Sequence, residues 1–422
     1  MGANNRTAQM RRQKQAEAKR HRVRVPRPDL NSLVAPRDPA EVDAQRGTDR
    51  WAGRGAERTW SYAMLLARHR RFDEALTLTE AALKRYPRHA RLMDAQQDIR
   101  LLRGDLDPSV WVGRYASRRQ CPFQQPRWTG EPIPGSSILL WEEDNPKTWF
   151  GLGDAVMFVR LAAIVKARSQ ARVIAGVPRG MTRLFSSLPG VDEIVEPPWP
   201  TDGFDCQAQW TAIPALPSCE LTAEWLAASV PYLFAETEAV ERWSSTFTDR
   251  SVVHVGLHWR ADRAHQDPKQ LRSIPLSALA PVLTLPGAKF YSLQYNGGDE
   301  IKDFPMVIDL GNIDDPASRF VQTAGVMKHL DLLIACDSGP AHVAGALGTK
   351  VWMFLSLAAQ DARWGLKQYT PWYPGHTLIK QSPSRDLSDW DEAVWEVREA
   401  LQRFISDHRE RMWQDRLAGR RP

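Results

Sequence analysis

From about Ser137 onward, short apolar runs alternate with stretches of helical spacing, and the alternation occurs in two successive series. In the first, Ser137-Ile138-Leu139-Leu140-Trp141 reads as a buried strand and Ala155 to Arg168 as a helix. Ala171-Arg172-Val173-Ile174-Ala175 then reads as a strand, Arg179 to Ser187 as a helix and Glu193-Ile194-Val195 as a strand. The second series opens with Val252-Val253-His254-Val255-Gly256-Leu257 as a strand, Leu276 to Leu283 as a helix and Lys289-Phe290-Tyr291-Ser292-Leu293 as a strand. It continues with Phe320 to Leu330 as a helix, Leu332-Leu333-Ile334-Ala335-Cys336 as a strand, Ala341 to Leu347 as a helix and Lys350-Val351-Trp352-Met353-Phe354 as a strand. Such alternation is the pattern of βαβ units and parallel sheets. It predicts an α/β chain with two Rossmann-like halves facing each other across a cleft, with ligands bound beyond the carboxyl ends of the strands. A last amphipathic helix is expected from Ser388 through Trp390, Val394, Val397, Leu401 and Ile405, packed back on the sheets.

At 422 residues the chain exceeds one ordinary core. The segments expected are a basic tail and linker over 1–50, a helical module over 51–108, the first half over 109–247, the second over 248–385, and a helix and tail over 386–422. No apolar run approaches the ~20 residues of a membrane helix. No secretory apolar core follows the N-terminus, and Arg6 stands where a myristoylation motif requires Ser or Thr. The expectation is a cytoplasmic protein. Cys121, Cys206, Cys219 and Cys336 are far apart and form no CxxC pair, so neither a disulfide framework nor a zinc site is expected. The net charge of +6 is set by residues 1–28, where Arg6, Arg11, Arg12, Lys14, Lys19, Arg20, Arg22, Arg24 and Arg27 face Glu17 alone for a charge of +8, which leaves the remainder near neutral at −2. Without an apolar face the tail is read as solvated chain; nucleic acid is the less favoured partner. In the module, apolar residues at helical spacing mark three short helices, through Trp60, Ala63, Met64 and Ala67, through Phe72, Ala75, Leu76, Thr79, Ala82 and Leu83, and through Leu92, Ala95, Ile99 and Leu102. The string Tyr62-Ala63, Phe72-Asp73-Glu74-Ala75, Ala81-Ala82-Leu83, Tyr86-Pro87 resembles a tetratricopeptide repeat (TPR). Only about one and a half repeats are visible, so the module should lean on the following domain, either as a helical cap or as a dock for a protein partner.

Three clusters carry candidate chemistry. Asp337-Ser338-Gly339-Pro340-Ala341-His342 lies where a buried strand gives way to a helix. There the free N–H groups and the positive helix end favour an anion, Gly339 lets backbone approach and Ser338 offers a hydroxyl. The same residues also make an ordinary helix start. His258-Trp259-Arg260, Asp262-Arg263 and Leu271-Arg272-Ser273-Ile274-Pro275 follow the Val252 strand, and Arg260, Arg263 and Arg272 can offer donor forks to phosphate oxygens. Trp149-Phe150-Gly151-Leu152-Gly153-Asp154-Ala155 joins the first strand to the first helix. Asp154 is there either an N-cap or a carboxylate able to take a proton from an acceptor hydroxyl.

Taken in order, Gly151-Leu152-Gly153-Asp154, Leu188-Pro189-Gly190-Val191-Asp192, Val255-Gly256-Leu257-His258-Trp259, Arg272-Ser273-Ile274-Pro275, Tyr291-Ser292-Leu293-Gln294 and Asp337-Ser338-Gly339-Pro340-Ala341-His342 resemble the ADP-heptose:lipopolysaccharide heptosyltransferase family. The likeness is closer to its bacterial branch that carries tetratricopeptide repeats, and it spans about residues 57 to 385. The resemblance implies a metal-independent, inverting glycosyltransferase of the two-Rossmann-domain (GT-B) type, with no cofactor beyond a nucleotide-diphosphate sugar donor. It implies an acceptor-binding first half with Asp154 as catalytic base, and a donor-binding second half. It places Arg272 on the donor phosphate and Asp337, Ser338, Gly339 and His342 in the nucleotide-sugar loop. Gly151, Gly153, Trp259 and Gln294, within the matched motifs, and Arg260, which follows one of them, complete the candidate nucleotide-sugar set. Ser338 stands where the family often has Thr, and Arg272 where its lipopolysaccharide enzymes commonly have Lys; both keep the donor chemistry. Trp364 and Pro371-Trp372-Tyr373-Pro374 match the repeat-containing branch, with packing as their expected role. The expected partners are a nucleotide sugar and a glycan or protein acceptor. The opposing expectation is a catalytically degenerate transferase domain that serves as a scaffold.

Overall fold

A computed structural model describes residues 55–68, 71–112, 121–142, 150–261, 272–356, 361–365, 367–382 and 389–418. The basic tail and linker, Trp149, Asp262, Arg263, Leu271 and Ser388 lie outside the described residues. The chain opens with helices α1 (Ala56–Arg68), α2 (Phe72–Arg85), α3 (Ala90–Leu102) and the short α4 (Pro108–Val112). Tyr62 is buried in one cluster with Ala63, Leu66, Ala67, Ala75 and Ile99. This core is small, and the helices lean on the rest of the chain. Trp111 of α4 sits edge-on to Phe158 and to Trp372, at centroid distances of 6.1 and 6.0 Å.

The first half comprises β1 (Ser137–Trp141), α5 (Leu152–Val159), α6 (Ala162–Ser169), β2 (Arg172–Gly176), α7 (Thr182–Phe185), β3 (Glu193–Val195), β4 (Cys206–Gln209), α8 (Ala223–Ala228) and α9 (Thr237–Trp243). Its strands form one parallel sheet in the order β3-β2-β1-β4, with Leu139 level with Ile174 and Gln207. The second half comprises β5 (Val253–His258), α10 (Ala280–Leu283), β6 (Ala288–Ser292), α11 (Gly298–Ile301), β7 (Val307–Asp309), α12 (Val321–Met327), β8 (Leu332–Cys336), α13 (Gly339–Leu347), β9 (Val351–Leu355) and β10 (His376–Lys380). They form a six-stranded parallel sheet, β10-β9-β8-β5-β6-β7. The final helix, α14 (Asp391–Leu417), lays Ala393, Val394, Val397, Leu401 and Ile405 on that sheet's core and runs well past the last residue its apolar pattern marks.

The strands expected from apolar runs are present, whereas several helices differ for tertiary reasons. The helix expected over Ala155 to Arg168 is broken at Arg160-Leu161 into α5 and α6. Arg160 is 2% exposed. Its guanidinium donates to Trp372 O at 2.8 Å, Tyr232 Oη at 2.9 Å, and Leu226 O and Ser229 Oγ at 3.4 Å, while its Nε donates to Met157 O at 3.1 Å. It also lies over the Tyr232 ring, 4.2 Å from the centroid. A charge so deep is tolerated only with its donors satisfied, and here carbonyls, hydroxyls and ring faces replace water. The helix expected over Arg179 to Ser187 shrinks to the single turn of α7. Gly180 has φ +78°, its carbonyl accepts from Arg319 N at 2.7 Å, and a Cβ would stand 2.2 Å from Pro316 O. Contact with the second half thus sets the backbone there. The helix expected over Leu276 to Leu283 begins as a 3₁₀ turn (Leu276–Leu279), and that over Phe320 to Leu330 is α12 alone. Strand β4 carries no apolar run. Its glutamines are buried because Gln207 accepts from the Trp141 indole at 2.7 Å and Gln209 donates to Glu142 at 3.3 Å.

Arg160→Met should lower stability by about 1–3 kcal/mol, because Trp372 O and Tyr232 Oη lose their buried donor. Urea unfolding followed by tryptophan fluorescence checks this, and an unchanged midpoint contradicts it.

Candidate functional site

The strand order of the second sheet reverses between β5 and β8, and the residues leaving these two strands therefore flank the crevice at which open parallel sheets generally bind ligands. After β8 come Asp337 and Ser338, the latter extended at φ −160° and serving as N-cap of α13, which starts Gly339-Pro340. Pro340 has no N–H to leave unsatisfied and suits this position. Ser338 Oγ lies 3.0 Å from His258 Nδ1 and donates to Cys336 O at 3.1 Å. The hydroxyl proposed for a ligand is thus turned inward, onto the end of β5. Burial pushes His258 down to about 4, so the ring is neutral near pH 7. At Gly339 a Cβ would approach the Phe320 ring to 3.0 Å, and Phe320 itself holds a left-handed backbone at φ +62°.

His342 links this crevice to the first half. It is buried, its Nδ1 lies 3.1 Å from the Tyr373 hydroxyl, and its Nε2 lies 3.9 Å from Asp337 Oδ1. Burial, reinforced by the Arg363 charge, holds it well below its ordinary value. Helices α5 and α13 pack together, and the close point is Gly153, where a Cβ would stand 2.6 Å from His342 Cδ2. Glycine is required here by the approach of the ring. Two motifs that lie far apart in sequence therefore meet directly.

Asp154 is not the N-cap of its helix: α5 begins at Leu152, Gly151 is the N-cap, and Asp154 occupies the third helical position. Its Oδ2 accepts from Gly151 N at 2.9 Å, an arrangement a carboxylate near a helix start favours. Its Oδ1 accepts from Arg363 Nη2, a residue of the second half. Arg363 and Asp361 sit on a 3₁₀ turn (Ala362–Trp364) between β9 and β10. The indole of Trp364 packs 5.1 Å from the His342 ring and helps to hold down the Asp337 carboxyl. Burial pushes the Asp337 carboxyl up from 3.8 to about 6; Arg272 opposes this, Asp361 adds to it, and Trp364 and Arg363 oppose it. Arg272 is thus placed within electrostatic reach of the start of α13.

The other candidates are placed less directly. Trp259 is buried in the core of the second half, its indole donating to Glu300 at 2.6 Å, so its visible work is packing. Arg260 is ion-paired with Glu300 at 2.9 Å and donates to Asn296 O at 3.1 Å. The Gln294 amide closes on the Arg260 backbone, accepting from its N–H at 2.8 Å and donating to its carbonyl at 3.1 Å. Gly151 and Gly153 lie at the turn into α5. Trp372 and Tyr373 are fully buried, Trp372 against Trp111 and Phe158 and Tyr373 against His342, as the packing expectation required. Arg363 and Arg160 were not anticipated. Neither has a local pattern, and the one available signal was that Arg363 adjoins Trp364, which belongs to a matched stretch. Among the described residues no group of three or more His, Cys, Asp or Glu is placed to hold a metal ion, and no helix is long and apolar enough to cross a membrane.

No family model matches the chain. No curated protein matches it either. Among solved structures, a glycosyl transferase family 9 protein from Veillonella parvula DSM 2008 is 11% identical over 65% of this chain and 91% of its own, with a TM-score of 0.44. The ADP-heptose lipopolysaccharide heptosyltransferase II of E. coli is 14% identical over 64% of this chain and 99% of its own, at 0.45. A mutant O-GlcNAc transferase from Thermobaculum terrenum is 11% identical over 88% and 83%, at 0.32. All three are glycosyltransferases by description; at these scores the likeness assigns no activity to this chain.

Because the folded state holds the Asp337 proton more tightly than the unfolded chain, this residue's contribution to stability falls as pH rises from about 4 to about 6. Asp337→Asn should therefore gain stability relative to the unsubstituted protein over that window. Urea titrations at pH 4, 5, 6 and 7 measure the difference, and a constant or opposite trend refutes the raised carboxyl.

Proposed function

We propose that the protein is a heptosyltransferase-like GT-B glycosyltransferase that moves a sugar from a nucleoside-diphosphate donor to the hydroxyl of a glycan or protein acceptor, with inversion and without a metal or other cofactor. The observation that carries this reading is the meeting of the two helix starts. The Asp154 carboxylate at the start of α5 and the anion-favouring start of α13 face the same junction, through Gly153 and His342. In this reading the second half holds the diphosphate through Arg272 and the N-terminal end of α13, including Gly339. Their positive charge stabilises the leaving group as the sugar–oxygen bond breaks. Asp154 takes the proton from the acceptor hydroxyl as that oxygen attacks the anomeric carbon. The resemblance in motif order supports the donor class, and the first half is assigned the acceptor. A cytoplasmic site of action and a protein partner on helices α1–α3, read as a tetratricopeptide-like dock, belong to the same proposal.

A second reading, a degenerate transferase domain acting as a scaffold, is favoured by one observation: the Asp154 carboxylate is already engaged by Arg363. Nucleotide-dependent sugar transfer to an acceptor, or hydrolysis of the donor, separates the two readings.

A thermal-shift panel of nucleoside diphosphates and nucleotide sugars tests the donor site, since a ligand at ~100 times its Kd stabilises by about 2.7 kcal/mol. Arg272→Ala should weaken diphosphate binding by about 1.5–3 kcal/mol, the worth of a charge-assisted contact, with little change in melting temperature. Unchanged affinity by calorimetry contradicts the assignment. Asp154→Asn keeps shape and removes proton-accepting power, and turnover should fall roughly 10²- to 10⁴-fold while nucleotide binding survives. Near-normal transfer by this variant rules Asp154 out as the base.

A further inference from the structure

Arg363 belongs to the second half, yet its side chain ends in the first. Besides Asp154, its Nη2 donates to Asp361 Oδ2 at 2.6 Å, and its Nε donates to Asp361 Oδ1 at 3.0 Å. Its Nη1 lies 3.5 Å from Met157 Sδ, and the guanidinium covers the Phe158 ring, 5.4 Å from the centroid. The side chain is 9% exposed, that of Asp154 17%. The mount is stiff: Asp361 Oδ1 accepts from Arg363 N at 2.9 Å, Trp364 is wedged between His342 and His376, and α3 packs on the same turn. The Arg363 charge also reaches Asp337 and His342, the residues that flank the start of α13.

A guanidinium held by one carboxylate on its own turn needs no second for neutrality. Asp361 supplies two of its contacts, and Asp154 is a further acceptor on the other half. An anion arriving at the start of α13 meets the same planar fork, and phosphate oxygens match that fork as well as a carboxylate does. We propose that Arg363 is a shared cation. It holds Asp154 while the junction is empty and turns to the diphosphate when a nucleoside-diphosphate donor binds, releasing the Asp154 carboxylate to accept a proton. Arg363 is then a positioning residue that makes proton acceptance conditional on a bound donor and imposes a donor-first order. This inference rests on the proposed donor site. It adds a competition between Asp154 and phosphate for one side chain.

Calorimetry on the full chain with ADP, UDP, GDP, CDP and dTDP tests it, using the unsubstituted protein, Arg363→Gln, Asp154→Asn, the double variant and Arg272→Ala. Arg363→Gln should weaken diphosphate binding about tenfold or more. Asp154→Asn, which removes the competitor's charge, should tighten it by about two- to tenfold, and this gain should vanish in the double variant, as coupled neighbours require. Melting curves run in parallel, and Arg363→Lys, which keeps the charge, should recover part of the affinity if loss of fold is not the cause. A gain from Asp154→Asn that persists without Arg363, no gain, or a loss overturns the inference. Loss of affinity in Arg272→Ala but not in Arg363→Gln leaves the donor site standing and overturns the sharing. An unsubstituted protein that binds none of the five overturns both.

Discussion

The space that a side chain at position 153 would occupy is filled by the imidazole of His342, and this contact sets how the two halves meet. It brings α5 and α13 together at their N-terminal ends, so that the positive helix ends and the carboxylate at the third position of α5 share one junction. The register is held from behind by Arg160. This cation of the first half donates to Trp372 O, a carbonyl of the second, and to Tyr232 Oη, which lies 3.3 Å from the Tyr373 hydroxyl. Tyr373 in turn lies within hydrogen-bond distance of His342. A continuous polar chain thus runs beneath the junction from the break in α5–α6 to the start of α13. Its members are buried and partnered, which makes their geometry specific, because each displaced group would be left without water or partner.

The electrostatics of the junction follow from that burial. The histidines beneath and beside it are held neutral: His342 lies well below its ordinary value, and burial takes His376 to about 3 and His258 to about 4. The fixed positive charge near the crevice therefore comes from arginines, which remain charged in surroundings that discharge a histidine. Arg363 pairs with Asp361 on its own turn and with Asp154 across the boundary between the halves, while Arg272 and Arg363 oppose the rise of the Asp337 carboxyl. The helices α1–α4 take part by position: α3 covers the turn that carries Arg363, and Trp111 closes the apolar side of Phe158 and Trp372.

Strands were legible where both faces are apolar, as in Leu332–Cys336 and Val351–Leu355, since a fully buried parallel strand must read as a continuous apolar run. Strand β4 was not, because Cys206–Gln209 is buried through the hydrogen bonds of Gln207 and Gln209, which leave no hydrophobic signature. Helix periodicity placed α2 and α3 well and failed at Arg160, where a charged residue turns inward. It failed again at Gly180, where a contact with the second half fixes a left-handed backbone. Of the candidate site, the helix start at Gly339 and the glycines before Asp154 could be read locally. The inward turn of Ser338, the packing role of Trp259 and the amide bracing of Gln294 could not, since each depends on a partner from another strand or loop.

The sequence by itself determined the two successive α/β series with their fully apolar strands, the helical segment before them and the chemical types gathered at strand ends. These follow from hydrophobic periodicity and from the backbone needs of glycine, serine and aspartate at helix starts, which act over a few residues. Only the tertiary structure decided that Gly153 abuts His342, that Arg160 is buried and that Arg363 reaches Asp154 from 209 positions away. A side chain's charge and length are written in the sequence. Its partner is set by which helices pack, and that is a property of the whole chain.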